Sequence, residues 1–176
     1  MMPFIIKADV ENFDDLLITA ESEKLLLLDG SPRSESWQPL PAKIDPCENP
    51  AQRGKPVDFP AVAGGMAFSA RALEALYPLI GDKIEALPLD CRDGRYYLIN
   101  VLNKVELDEP RSEFRRVPSG RISTISKYAF PRGSTDGQHI FKLKQKPLGE
   151  TFVSPEFKQA VEAHNLVGLV FHEMNL

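Results

Sequence analysis

The chain has 176 residues, of which 43% are hydrophobic and 26% charged, and this composition is ordinary for a protein with one folded core or two small ones. Its net charge of −4 argues against a general nucleic-acid binder, and the distant Cys47 and Cys91 exclude a disulfide framework or a cysteine metal motif. No apolar run approaches the roughly 20 residues of a membrane helix. The N-terminus also lacks the features of a signal peptide, so we expect a cytoplasmic protein without membrane contact.

The first 60 residues predict little regular structure. A short apolar run at 4–6 predicts a strand, residues 11–17 fit either a helical turn or a loop, and 24–28 favours a buried strand. Seven prolines between residues 31 and 60 predict a long ordered loop. Trp37, the only tryptophan, either pins this loop to the body of the protein or serves as an anchor for a partner.

A helix is predicted over 69–80, because Ser69 is a good N-cap and apolar residues follow at helical spacing. Pro78 is expected to end or kink the helix and Gly81 to stop it. The predicted apolar face consists of Leu73, Leu76, Tyr77 and Ile80.

The strongest local signal is a hairpin over 84–105. Asp93-Gly94 predicts a two-residue loop with positive φ between two strand-like runs. The second run, 96–101, is apolar on both faces, which is typical of a strand in the middle of a covered sheet.

The remaining elements complete an α+β fold with a mostly antiparallel central sheet and two main helices packed on it. Residues 107–118 predict polar turns, and 121–130 predicts a strand with one wet face beside the hairpin at the centre of the sheet. The N-terminal strand joins that sheet or forms a separate layer with 24–28. A second helix is predicted over 154–165, with Ser154 as N-cap and Asn165 as a left-handed stop. The other predicted strands are 139–143, 151–153 and 169–174.

Residues 1–60 and 61–176 differ in character, the first variable and proline-rich and the second α+β. We expect the two parts to form one globular unit.

The sequence shows no recognised catalytic, cofactor or metal motif. The three histidines, His139, His164 and His172, have no carboxylate or cysteine at metal-ligand spacing, and Asp90 and Asp93 are explained by a strand end and a turn. We therefore predict no catalytic, cofactor or metal residue, although a site assembled from distant residues stays open.

Basic residues are concentrated between 111 and 146, where nine of them face only two acidic residues. The interleaved aromatics are Phe114, Tyr128, Phe130 and Phe141. This pattern fits a solvated sheet face, a surface that binds an acidic protein, or a platform for single-stranded nucleic acid. The partner-binding candidates are Trp37 in the proline-rich loop and Arg115, Arg116, Arg121 and Lys127 in the basic segment.

From about Gly54 to the C-terminus the chain resembles a family of bacterial immunity proteins from polymorphic-toxin systems, first catalogued as a domain of unknown function. The matching pieces, in order, are VDFPAVAGGMAFSARALEALYPLIGDKIEALPL, YYLINVLNKVELD, RSEF, RISTISKYAF, HIFKL and FVSPEFKQAVEAHNLVGLVF. The resemblance implies a non-enzymatic antidote that binds a cognate toxin domain and blocks it. The alternatives are a hydrolase-like enzyme with scattered site residues and a nucleic-acid-binding module that uses the basic 111–146 segment.

Overall fold

The computed structural model describes residues 2–19, 27–63 and 65–176, and those ranges contain two α-helices and 13 strands. The strands form a six-stranded sheet, a five-stranded sheet and a two-stranded ribbon, and all but two of the described pairings are antiparallel. The predicted α+β class with largely antiparallel sheets and helices packed against them is confirmed. In chain order the strands are β1 Phe4–Ala8, β2 Asp15–Ile18, β3 Leu40–Asp45, β4 Ala61–Val62, β5 Gly65–Ser69, β6 Ile84–Cys91, β7 Tyr96–Val101, β8 Lys104–Val105, β9 Glu113–Arg116, β10 Ile122–Lys127, β11 Ile140–Leu143, β12 Thr151–Val153 and β13 Leu169–Glu173.

The six-stranded sheet runs in the order β2-β3-β6-β7-β5-β4. Its two end strands, β2 and β4, contact each other, so the sheet curls on itself. The curl encloses an apolar cluster to which Leu16 contributes from β2, Val62 from β4 and Leu87 from β6. Burial of this inner face stabilises the curled sheet.

The predicted hairpin is confirmed as β6 and β7, which pair in antiparallel fashion through Leu87 and Leu98. β7 is interior and covered on both faces, because Tyr96 and Leu98 point into the cluster inside the curled sheet while Ile99 and Val101 point into the cluster beneath the helices. The predicted two-residue turn is wrong, since residues 92–95 connect the strands and Gly94 lacks a positive φ. The Asp93 side chain is instead used in a long-range contact, because its Oδ2 accepts a hydrogen bond from Ile44 N at 3.0 Å.

The five-stranded sheet runs in the order β13-β1-β12-β11-β8. The N-terminal strand β1 is interior, paired with β13 on one side and β12 on the other, and does not join the hairpin sheet. The strand predicted over 121–130 is also misplaced: it is β10, which pairs with β9 in the separate ribbon. β9 itself lies in the stretch predicted to be polar turns. Which strands pair with each other depends on segments that are distant in the chain, and local sequence patterns contain no information about this pairing.

Two helices, α1 (Ala70–Ile80) and α2 (Pro155–Ala163), pack on these sheets as predicted. Their N-caps are Ser69, which accepts from Ala72 N, and Ser154, which accepts from Phe157 N. Side chains from both helices and both large sheets share one buried cluster. Pro78 lies inside α1 and does not end it, and the helix continues to Ile80 with Gly81 as its C-cap, as predicted. Asn165 adopts a φ of 51° after α2, as predicted.

The N-terminal third contains more strand than the sequence predicted. Residues 15–18 form β2 where a helical turn or loop was expected, and β3 occupies 40–45 inside the proline-rich stretch. Pro41 is tolerated in β3 because its carbonyl still accepts from Thr19 N at 2.9 Å, and only its donor is missing. Most of the strand predicted over 24–28 lies outside the described residues.

Candidate partner-binding surface

The ribbon, defined here as β9, β10 and the turn between them, carries the predicted basic site residues. The turn runs from Val117 to Gly120, where Gly120 N donates to Val117 O at 2.8 Å and Gly120 has a φ of 86°. Pro118 follows Val117 in the position that proline favours in a β-turn. Glycine at the last position supplies the left-handed backbone that closes the hairpin.

One face of the ribbon is anchored to the body of the protein. Ile122 is buried, and Phe114 and Ile125 pack against the same apolar cluster, which contains the stacked rings of Phe141 and Phe152. Because side chains alternate along a strand, this anchoring directs the intervening residues to solvent.

The opposite face of the ribbon bears cations without partners. Arg115 and Arg121 are exposed and Lys127 is half-buried, and no carboxylate of the described residues lies within ion-pairing distance of any of the three. Arg121 makes only a long 3.4 Å hydrogen bond to Ser119 Oγ. The structure thus places three of the four predicted basic residues on one exposed face, where Glu113 lies opposite Lys127 in the strand register without forming an ion pair.

Arg116 differs from its neighbours because the protein already uses its guanidinium. One nitrogen donates to Gly120 O at 2.7 Å, another pairs with Glu109 at 2.7 Å, and the group lies 5.1 Å from the centre of the Phe114 ring. These contacts fix the turn of the ribbon. Arg116 therefore stabilises the ribbon and is less available to a partner.

Several other cations of the basic segment are neutralised by nearby carboxylates. Arg111 pairs with Asp108 at 2.6 Å, Lys144 with Glu106 at 3.0 Å and Lys146 with Glu150 at 3.3 Å. Part of the positive charge read from residues 111–146 is therefore neutralised by carboxylates, whereas Arg115, Arg121 and Lys127 on the ribbon and Lys142 in β11 form no ion pair within the described ranges.

The aromatic residues of this segment point inward. Phe141 is fully buried and Tyr128 is 7% exposed, while Phe114 and Phe130 pack against the same cluster. Burial, with a smaller contribution from Glu150, raises the pKa of Tyr128 to about 12. Stacking platforms for single-stranded nucleic acid need exposed rings, so this arrangement does not favour that alternative.

Trp37 lies apart from the ribbon, on the six-stranded sheet. Its indole Nε1 donates to Pro88 O at 2.9 Å, and its ring packs against the cluster inside the curled sheet. These contacts fit the role of pinning the loop. The ring is only half-buried, so part of it is accessible to a partner.

A second exposed aromatic, Tyr77, was predicted to lie on the apolar face of α1 that packs on the sheets. The prediction is wrong: Tyr77 is 57% exposed and lines a shallow groove of about 430 Å³ between α1 and the start of β7. Tyr97 and Arg95 share that groove, with an arginine nitrogen 3.1 Å from the tyrosine hydroxyl. Tyrosine and arginine are enriched at binding hot spots. The sequence did not indicate this groove, because Tyr77 falls at the same helical spacing as the apolar residues of α1.

The polar groups that resemble catalytic machinery serve the fold. His139 Nδ1 lies 2.9 Å from Ser154 Oγ and 4.0 Å from Glu156, but a triad needs its serine and carboxylate on opposite ring nitrogens. Ser154 Oγ is also the α2 cap. Across the described ranges, no group of three or more His, Cys, Asp or Glu side chains is arranged to hold a metal.

A groove of about 610 Å³ beside β2 contains three carboxylates, and each is occupied by protein donors. Asp58 accepts from Arg71, Ser69 Oγ and Val167 N, and Asp93 accepts from Ile44 N. Asp14 accepts from Cys47 N and Gly54 N, both at 2.9 Å. The Cys47 hydrogen bond lowers the pKa of Asp14, although burial opposes the shift. The three carboxylates therefore form hydrogen bonds that connect distant segments of the chain.

The fold is that of an α+β domain with an exposed ribbon that carries three cations without ion pairs in the described structure. Residues 10–175 match the model of the Immunity protein family (Imm11), and the chain belongs to this family. The match begins well before Gly54, so it includes β2 and β3 as well as the pieces that carried the resemblance. Comparison with the curated proteins finds no match. None of the described helices is long and apolar enough to span a membrane.

Proposed function

We propose that this chain is a toxin-neutralising immunity protein that binds a cognate bacterial toxin domain in the cytoplasm and blocks it without catalysing a reaction. The observation that carries the proposal is the family match over residues 10–175. An immunity protein of a polymorphic-toxin system protects the cell by covering the surface through which the toxin acts. This role agrees with the family to which the chain belongs.

The ribbon supplies the best candidate contact surface. Arg115, Arg121 and Lys127 present three cations that lack carboxylate partners in the described structure, and their strands are held rigidly by the buried side of the ribbon. A complementary acidic surface on the toxin would steer association and fix the orientation of the complex. The exposed part of Trp37 is a second candidate, because a large aromatic contributes strongly when a partner covers it.

Co-expression tests the function directly. Each toxin gene encoded beside the gene for this chain is expressed alone and with it, and cell survival and co-purification are measured. We expect at least one toxin that kills alone and is neutralised by co-expression. Failure of every adjacent toxin to show this pattern contradicts the proposed function.

The contact surface is tested by reversing its charge. A variant with Arg115→Glu, Arg121→Glu and Lys127→Glu is compared with one carrying Lys43→Glu, Lys55→Glu and Arg92→Glu, which changes the net charge equally at other exposed positions. We expect the ribbon variant to lose at least about tenfold in toxin affinity, because several close charge pairs would become repulsive. The control variant should keep wild-type binding.

Equal losses in both variants would indicate general electrostatic attraction rather than a specific surface. Wild-type binding by the ribbon variant would remove the ribbon from the interface while leaving the toxin-neutralising function intact. In that case Trp37→Ala is the next variant to assay, with thermal unfolding measured beside affinity to separate loop packing from contact with the toxin.

A further inference from the structure

A cavity of about 600 Å³ lies where the six-stranded and five-stranded sheets meet. Ile99 of β7 and Met66 of β5 form part of one wall, and Ile6 of β1 and Thr151 of β12 form part of the other. Its volume falls within the range of about 300–1,000 Å³ that is typical of small-molecule sites, and its lining is mainly apolar. Neither the ribbon nor Trp37 contributes to it.

The charged side chains in this lining leave an excess of positive charge. They are Lys7, Lys142 and Glu150, and Glu150 is already paired with Lys146 at 3.3 Å. Lys142 Nζ donates to Gly149 O at 3.1 Å, and within the described ranges no carboxylate oxygen lies within 4.0 Å of it. An ammonium has three donor hydrogens, so this contact leaves donor capacity for an incoming acceptor.

Lys142 is held in a setting that disfavours its charge. It follows the fully buried Phe141 and precedes Leu143, and its side chain points from β11 to the cavity side. Burial lowers the pKa of Lys142, although Glu150 acts in the opposite direction. A bound anion would compensate the partly buried ammonium, since an opposite charge favours the charged form.

The rim of the cavity bears an unusual concentration of exposed apolar side chains. Val10, Leu27 and Leu148 all line it, and they are 53%, 52% and 51% exposed. Three large aliphatic groups around one opening form an apolar surface that a hydrocarbon chain would cover.

We propose that this cavity binds an amphipathic acid of small size, an aliphatic chain ending in a carboxylate, with the carboxylate at Lys142 and the chain against Val10, Leu27 and Leu148. Charge complementarity selects the carboxylate, and the apolar rim selects the chain. The proposed site shares no residue with the ribbon, which is the candidate surface for toxin contact.

The test is calorimetric titration of the full-length chain with decanoate below its micelle concentration. Acetate, which lacks the chain, and decyltrimethylammonium, which reverses the charge, serve as matched ligands. We expect saturable binding of decanoate and much weaker binding of the other two. Lys142→Met should weaken decanoate binding by about tenfold or more, because it removes a charged hydrogen-bond donor and keeps an apolar side chain.

Lys144→Met is the matched control, because Lys144 lies just after the same strand, pairs with Glu106 and does not line the cavity. It should bind decanoate like the wild type. Leu148→Glu alters an exposed rim residue, which leaves folding intact, and should weaken binding even if Lys142→Met proves unstable in circular dichroism. Absence of saturable decanoate binding to the wild type overturns the proposal, as does binding that none of the cavity substitutions weakens.

Discussion

The β6–β7 hairpin and the β9–β10 ribbon are both antiparallel strand pairs, but their surroundings differ. β7 has a strand on each side and an apolar cluster on each face. The ribbon has no third strand, and only one of its faces is packed. In the first pair most side chains, and all but one of those in β7, are buried, whereas in the second pair alternate side chains are exposed to solvent.

This contrast explains why the most conspicuous sequence feature is not the candidate binding surface. The hairpin gives a strong signal because both of its faces are apolar, and that same property removes it from solvent. The ribbon gives a weak signal because its outer face is polar and bulged. Substitutions in the two regions should therefore separate stability from binding.

The largest effect is expected for Leu98→Asp at the centre of the hairpin. Leu98 is 1% exposed and pairs with both Leu87 and Ala67, so the change removes about 1.5–3 kcal/mol of burial and places a carboxylate in an apolar cluster. We expect loss of the cooperative thermal transition. Thr124→Asp, on the exposed face of the ribbon, is the control and should melt like the wild type. Similar melting temperatures for the two variants would contradict the contrast between a buried hairpin and an exposed ribbon face.

A pH-dependent effect is expected at Asp14, which holds the loop 47–54 against the start of β2 through Cys47 N and Gly54 N. Its pKa is lowered from the ordinary value of 3.8 in the folded protein, so its stabilising contribution is present above that value and is lost as pH falls through the folded pKa. Asp14→Asn should reduce stability at pH 7 and show a smaller further loss between pH 5 and pH 3.

The measurement for Asp14 is urea unfolding at a series of pH values. Parallel curves for the wild type and Asp14→Asn across that window would show that the carboxylate charge does not contribute to folding. Thr124→Asn, on the exposed face of the ribbon, introduces no ionisable group and is the control that should follow the wild-type curve.

The smallest expected effect is a difference in the free energy of unfolding between substitutions of two adjacent arginines in the ribbon. Arg116→Ala removes the contacts to Gly120 O, Glu109 and the Phe114 ring and should cost roughly 0.5–1 kcal/mol, since the group is partly solvated. Arg115→Ala should change the free energy of unfolding by less than about 0.5 kcal/mol. The reverse order in urea unfolding would contradict the distinction between a turn-fixing and a partner-facing arginine.

Local signals in the sequence predicted the helices and several strands well. Ser69, Ser154 and Asn165 mark helix ends through hydrogen bonds and backbone conformations that involve only near neighbours, so their roles could be read directly. The wrong predictions involve distant partners: β3 forms despite Pro41, Gly94 does not adopt the turn that its dipeptide favours, and Tyr77 lies on the exposed side of α1.

For the candidate surface, the sequence supplied the concentration of charge but not its availability. It singled out Arg115, Arg116, Arg121 and Lys127 together, and only the tertiary contacts show that Arg116 is engaged while the other three lack carboxylate partners in the described structure. The groove beside Tyr77 and the cavity at Lys142 were not found, because their walls come from segments far apart in the chain.

The sequence by itself determined the α+β class, the two capped helices, the doubly apolar strand β7 and the family pattern from Gly54 onward. The first three features follow from periodicity, capping and composition, which act over a few residues, and the fourth is a resemblance to known sequences. The tertiary structure alone decided that the strands form two large sheets and a ribbon, and which charges remain unpaired. Strand pairing and ion pairing depend on long-range packing of segments that are distant in sequence, so no local pattern specifies them.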